Sequence, residues 1–275
     1  MGPERSRARY EMDVPPHMPH AATTLPGPRP GPRPRRSLLA LLLAILATLP
    51  FAVARARAEQ VDLQLVLAAD VSRSVDAEEF ALQREGYAAA FQNPRVLRAI
   101  RSGPLGRIAV CFVEWSGEWE QFVTVDWTVI RDEESAEDFA AALVPRPRPF
   151  AGRTAIGAAI DHAASLFARS GHQSQRRTID VSGDGTNTNG KLPSVARDQA
   201  VAQGIVINGL VILSPVPMPW NPYHTHPPGG LGNYFQENVA GGPGSFVMVV
   251  EDFQSFAHAI ANKLVREIAE VPAVP

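Results

Sequence analysis

Three short stretches of this 275-residue chain gather oxygen-bearing side chains at spacings that could do chemistry. They are Asp70-Val71-Ser72-Arg73-Ser74, Gly152-Arg153-Thr154 and Ser182-Gly183-Asp184-Gly185. Asp70, Ser72, Ser74, Thr154 and Asp184 together offer two carboxylates and three hydroxyls, an all-oxygen donor set. Such a set suits Mg²⁺ or Mn²⁺ and is poor for zinc or copper. Each loop alone has a simpler reading, because Asp, Ser and Thr after a strand commonly cap the next helix or close an Asx turn. Metal chemistry requires that the three loops meet, so the elements that carry them decide.

Leu63 to Leu67 is an apolar run of strand length, and Asp70 closes it. Asp76 and Glu79 have capping-box spacing for a helix through Phe80, Tyr87 and Phe91 toward Pro94. Ile108 to Trp115 and Phe122 to Val125 flank Gly117 and predict a hairpin. Helices are expected over 133–143, 155–167, 195–203 and 253–268, and strands over 178–181, 205–213 and 246–250. This order predicts an α/β fold: a doubly wound, mostly parallel central sheet with one antiparallel edge strand and helices on both faces. Loops after parallel strands gather at the sheet's carboxyl edge, where ligands bind. The three oxygen-rich loops then converge on one point.

The first 58 residues read differently. Residues 1–32 are rich in Pro and Arg without apolar periodicity, which predicts disorder. Arg33, Arg35 and Arg36 precede the uncharged stretch from Leu38 to Ala54, and Ala52-Val53-Ala54 and Ala56-Arg57-Ala58 are small-residue cleavage patterns. The combination is that of a secretory signal peptide, cleaved near Ala58 or at Ala54, and implies a periplasmic or secreted protein. The alternative is an uncleaved membrane anchor. Arg35-Arg36-Ser37-Leu38-Leu39 also loosely fits a twin-arginine signal. Nine arginines fall in this leader, so residues 59–275 carry a net charge of −8. That charge argues against nucleic acid or an anionic bilayer as partner. Residues 59–275 are long enough for one domain with a full core, and Cys111, the one cysteine, sits in an apolar run as a small hydrophobe.

The motifs resemble a known family. Asp-x-Ser-x-Ser after the first strand, a threonine in a middle loop and Asp-Gly after a later strand look like the metal-ion-dependent adhesion site of von Willebrand factor A (vWA) domains. DVSRSVD, GRTAIGAAI, DVSGDGTN and GGPGSFVMVVEDF further resemble a group of bacterial secreted A-like proteins known only as a domain of unknown function. The resemblance implies direct ligation by Ser72, Ser74 and Thr154. Asp70 and Asp184 would act through bound water, and a partner's carboxylate would complete the octahedron. The function implied is binding of a protein's acidic side chain, without catalysis. Residues 214–244 depart from the pattern, being a long Pro- and Gly-rich insertion. It follows a strand and must emerge on the metal side, and Trp220, Tyr223, Tyr234 and Phe235 in it are candidate partner anchors.

Other readings are weaker. Gly185 to Lys191 fits G-x₄-G-K, but Leu192 stands where a phosphate loop needs Ser or Thr. Ser182, His162 and Asp184 are the residue types of a hydrolytic triad with no motif to align them. His224 and His226 have ligand-like spacing but lack a third nearby Cys or His. A hydrolase using the same metal is the rival class, and no general base is evident in sequence beside the site. Mass spectrometry of the exported protein should find a chain beginning at Glu59 or at Arg55. Recovery of the intact chain in membranes would instead establish the anchor.

Overall fold

Leu65 and Leu67 pack on one face of the central sheet and Val66 and Ala68 on the other, and all four are fully buried. Strand residues alternate faces, so an unbroken apolar run means helices on both sides. The computed structural model describes residues 58–269 and, before them, Gly27. The chain divides into two units between Arg55 and Ala56, and every strand and helix named here belongs to the second. The predicted leader and signal stretch lie outside the described residues, as does the end of the chain beyond 269. Among the described residues no helix is long and apolar enough to cross a membrane.

The elements are β1 (Glu59–Gln60), β2 (Gln64–Asp70), α1 (Ala77–Phe91), α2 (Pro94–Arg101), β3 (Ile108–Trp115) and β4 (Gln121–Ile130). There follow α3 (Glu133–Leu143), α4 (Ile156–Leu166), β5 (His172–Gln173), β6 (Arg177–Gly183), α5 (Pro193–Val201) and β7 (Val206–Ile212). The chain continues through α6 (Pro222–Thr225), α7 (Leu231–Asn238), β8 (Val247–Val250) and α8 (Phe256–Ala269). Six strands form one sheet in the order β4-β3-β2-β6-β7-β8. Among the described residues the β3–β4 pair is the one antiparallel strand pair of this sheet. Helices α1, α2, α3 and α8 cover one face, and α4, α5 and α7 the other. The predicted α/β class and the capping box at Asp76 are both present.

Three features differ from the sequence expectation. Helix α2 starts directly at Pro94, a residue type that in sequence signals a stop. Asn93 caps it by accepting from the Arg95 N–H, and Pro at the first turn lacks only a donor that has no helical partner anyway. Strands β1 and β5 form a separate parallel pair at the opposite end from the oxygen-rich loops. The 214–244 segment contains the helices α6 and α7 rather than being structureless.

One buried charge cluster stitches α8 to the sheet. Lys263 Nζ lies 2.6 Å from both Asp180 Oδ1 and Glu267 Oε1, and all three residues are buried. Asn208 on β7 donates to Glu267 Oε1 at 2.9 Å. One cation faces two carboxylates, so Asp180 is pushed up to about 7 by desolvation and by Glu267, against the pull of Lys263. A group raised in the folded state contributes stability below its unfolded pKa and loses it as pH rises through the folded value. Asp180 therefore weakens the fold progressively between about pH 4 and pH 7. Asp180→Asn should flatten the decline in melting temperature across that window and raise it at pH 8. Identical pH profiles for the two proteins would refute the assignment.

Candidate metal centre

The carboxyl ends of β2 and β6 lie side by side, because Ala69 pairs with Ser182 in parallel register. Asp70 ends the first strand and Asp184 follows the second. Beyond Asp70 the chain turns at once: the Ser72 N–H donates to Asp70 Oδ1 at 2.7 Å, closing an Asx turn. The Arg148 guanidinium secures the turn from outside. It donates to the carbonyls of Val71 and Ser72 at 2.6 Å, Val75 at 2.9 Å and Phe150 at 3.1 Å. The middle loop is held at the end of β3. There the Ala155 N–H donates to Ser116 O at 2.8 Å and the Gly152 N–H to Ser116 Oγ at 3.1 Å. An Arg73 N–H bond to Gly152 O at 3.0 Å joins this loop to the first. Thr188, after β6, exchanges bonds with Thr154, its N–H reaching Thr154 O at 2.7 Å.

These restraints bring all five sequence-predicted positions together. Ser74 Oγ donates to Asp184 Oδ1 at 2.7 Å, and Ser72 Oγ lies 3.1 Å from both Ser74 Oγ and Thr154 Oγ1. Asp70, Ser72, Thr154 and Asp184 are buried and Ser74 is half-buried. Burial raises Asp70 well above the usual carboxylate range, with the Asp184 charge adding to it and Ser72 and Arg148 opposing. Asp184 is raised to about 6, again chiefly by burial, with its Ser74 bond pulling the other way. Among the described residues Asp70 Oδ2 is buried without a hydrogen-bond partner.

Among the described residues no cluster of three or more His, Cys, Asp and Glu side chains is placed to hold a metal. The donors that meet here are mainly hydroxyls. They nonetheless fit a small divalent cation. Neighbouring oxygens around an octahedral ion with bonds near 2.1 Å stand about 3.0 Å apart, close to the hydroxyl spacing seen. A cation would also supply the charge that the orphaned Asp70 oxygen and its neighbour Asp184 lack.

His224 joins this site without having been expected there. Its Nε2 is 3.3 Å from Thr154 Oγ1, and the residue is 3% exposed. Burial lowers its pKa, keeping it neutral. The carbonyl of His224 accepts from the Thr186 N–H at 2.9 Å, tying helix α6 to the loop after β6. The signal available in sequence was the pair His224/His226. His226 does not join the site, and its Nδ1 lies 3.0 Å from Thr225 Oγ1 instead. A cavity of about 320 Å³ opens beside the hydroxyls, lined in part by Arg73, Arg153, Thr188, Met218, Trp220 and His224.

The expected partner anchors divide. Trp220 and Tyr223 are 70% and 69% exposed. Phe235 is fully buried in the core beneath β7, so the expectation that it meets a partner is corrected: its ring fills space against the sheet. Tyr234 is half-buried, and its hydroxyl accepts from the Asn187 N–H at 3.1 Å, bracing the same loop. In the phosphate-loop reading Lys191 would meet phosphates, but its ammonium is paired with Asp161 at 2.7 Å. Ser182 of the conceivable triad is buried with Tyr87, whose hydroxyl donates to it at 3.1 Å.

A family model described as protein of unknown function (DUF1194) matches residues 60–272. Among curated proteins none matches. The mussel byssus proximal thread matrix protein 1, solved with a zinc-occupied MIDAS motif, is 15% identical with TM-score 0.54, over 78% of this chain and 49% of its own. The pilus adhesin SpaC of Lactobacillus rhamnosus GG is 14% identical with TM-score 0.53, over 76% and 31%. A von Willebrand factor type A protein of Catenulispora acidiphila is 14% identical with TM-score 0.51, over 76% and 43%. The chain spans about half the length of the mussel protein, or less of the others, and at these identities the likeness shows the fold. The fold is vWA-like.

Gly185 makes the seat of His224. A Cβ there would fall 2.1 Å from His224 Cε1. Gly185→Ala should cost about 1–3 kcal/mol by overpacking, read by denaturant unfolding. In a His224→Ala background the same change should cost almost nothing. Equal costs in both backgrounds would mean that the imidazole does not occupy that seat.

Proposed function

This chain belongs to the DUF1194 family, and on that footing we propose that it is a divalent-metal-dependent protein-binding module without enzymatic activity. One observation carries the reading. Three hydroxyls spaced 3.1 Å apart and two buried carboxylates meet at the sheet's carboxyl edge, beside an open cavity. Ser72, Ser74 and Thr154 would hold Mg²⁺ or Mn²⁺ directly, with Asp70 and Asp184 supplying charge behind them. The metal's open side would accept an acidic side chain from a protein partner, as the resemblance to adhesion sites implies. Arg73 and Arg153 line the same cavity and are exposed, so a carboxylate would approach through positive potential. Trp220, which lines the cavity, and Tyr223, three residues on, are large exposed side chains of the kind that anchor interfaces. We further propose that the leader is removed on export, placing this domain outside the cytoplasm.

A second reading has one observation in its favour. His224 Nε2 beside Thr154 is a neutral imidazole at the site, a general base that is not evident in sequence. A metal-dependent hydrolase would use it to activate water. Binding remains the better account, because the site opens beside exposed arginines and aromatics and the solved relatives include an adhesin.

Millimolar Mg²⁺ or Mn²⁺ should raise the melting temperature by mass action, since a ligand at a hundred times its Kd adds about 2.7 kcal/mol. Thr154→Ala and Asp70→Ala should each abolish that shift while leaving a folded protein. A wild-type curve indifferent to both metal and chelator would sink the metal reading. Metal-dependent cleavage of an ester or phosphoester, lost in His224→Ala, would replace binding by catalysis.

A further inference from the structure

Distances around Thr154 place the imidazole in the same series as the hydroxyls. Ser74 Oγ to Ser72 Oγ is 3.1 Å, Ser72 Oγ to Thr154 Oγ1 is 3.1 Å, and Thr154 Oγ1 to His224 Nε2 is 3.3 Å. Each is close to the separation of about 3.0 Å between adjacent ligands of an octahedral ion with bonds near 2.1 Å. We propose that His224 is itself a ligand of the ion, through Nε2, so that the site carries one nitrogen donor from its own chain. This rests on the metal reading above and adds a residue to it.

The ring is held rather than draped. Its residue's N–H donates to Asn221 O at 3.0 Å and its carbonyl accepts from Thr186. Gly185 presents no side chain where the ring lies, the imidazole atoms occupying the place of a Cβ. A neutral imidazole has one ring nitrogen with a lone pair to give, the usual nitrogen donor to a metal. Nδ1 has no hydrogen-bond partner among the described residues. The tautomer with its proton on Nδ1 and the Nε2 lone pair free therefore carries a buried donor without an acceptor, a cost that the bond from Nε2 to the ion must outweigh.

Two consequences arise from the chemistry of the donor. Replacing one oxygen by imidazole nitrogen moves the preference from Mg²⁺ toward Mn²⁺, Co²⁺ and Zn²⁺. A coordinated Nε2 also has its lone pair in the metal bond and cannot take a proton from water, which removes the base that the hydrolase reading needs. An arriving carboxylate would then find an ion with one position already filled by the insertion.

Pulsed electron paramagnetic resonance on the full chain loaded with Mn²⁺ reads the bond directly. Bound Mn²⁺ should show coupling to ¹⁴N in the wild type, converted to ¹⁵N coupling when the histidines are labelled. His224→Ala, and His224→Gln as the less disruptive change, should bind Mn²⁺ without the coupling. The same variants should lose the advantage of Zn²⁺ over Mg²⁺ in thermal stabilisation while keeping the Mg²⁺ shift. Bound Mn²⁺ with no nitrogen coupling in the wild type, or with coupling that survives both substitutions, would overturn the assignment of His224 and leave the hydroxyl site standing. Absence of Mn²⁺ binding, or binding indifferent to Thr154→Ala, would overturn the metal reading and this inference together.

Discussion

Two carboxylates set side by side in a dry place are the constraint around which this end of the molecule is built. Asp70 and Asp184 close adjacent parallel strands, so the sheet register alone fixes their proximity. Each resists ionisation because burial removes its hydration, and a nearby carboxylate makes each charge harder to hold, Asp184 for Asp70 and Glu79 for Asp184. The surroundings offset part of this cost with donors: the Ser72 N–H for Asp70 and the Ser74 hydroxyl for Asp184. Arg148 contributes a positive charge to both while its guanidinium occupies four backbone carbonyls. That compensation is partial, since one oxygen of Asp70 still lacks a partner among the described residues. An arrangement that leaves a buried carboxylate oxygen without a donor among the described residues is primed for a cation.

Positioning of Arg148 depends in turn on a second buried ion pair. Arg84 on α1 binds Glu114 on β3 bidentately, at 2.7 and 2.8 Å, and Thr124 on β4 donates to the same carboxylate at 2.9 Å. The free edge of the Arg84 guanidinium donates to the carbonyls of Arg146 and Pro147, just before Arg148. A buried pair is weak evidence for stability, because desolvation consumes most of the attraction. Its use here is geometric. One fork, fixed to the sheet, sets the path of the segment whose arginine sets the path of the metal loop. The Lys263 cluster does comparable work between α8 and the strands β6 and β7, away from the site.

Legibility in sequence tracked the distance over which each signal acts. Strands β2, β3 and β7 are contiguous apolar runs, and Asp76 with Glu79 is a four-residue capping pattern, so both could be read locally. The five oxygen donors were legible as well, because parallel-sheet topology predicts that the loops after its strands meet. Helix α2 was not, since Asn-Pro signals a stop and a start equally and only Val96, Leu97 and Ile100 packing on the core decides. His224 was visible only as half of a histidine pair, and its place in this site was not legible for a different reason. Its neighbour in the site, Thr154, is 70 residues away, and the path between them runs through a Pro- and Gly-rich segment without periodicity. Phe235 looked like an interface anchor because aromatic type says nothing about which side of a helix meets the sheet.

The insertion is best understood from that same Phe235. Its ring lies against two glycines of the sheet: a Cβ on Gly209 would come within 3.0 Å of Phe235 Cδ1, and one on Gly183 within 3.5 Å of its Cζ. Gly183 is also where the Asp70 carboxylate passes, 3.1 Å from the same virtual Cβ. The sheet is thus stripped of side chains at the spot where the aromatic ring and the acidic loop both need room. Leu231 and Val239 add to this apolar seat, and the Tyr234 hydroxyl adds a bond to the loop after β6. Helix α7 anchors the segment by burial, and α6, earlier in the same insertion, brings His224 over Thr154 by its backbone bond to Thr186. Trp220 and Tyr223 stay outside, 70% and 69% exposed. Six residues of the insertion, His224, Thr225, Leu231, Phe235, Val239 and Ala240, are buried and the others lie partly or fully at the surface, which is why it can complete a site and still present a face to solvent.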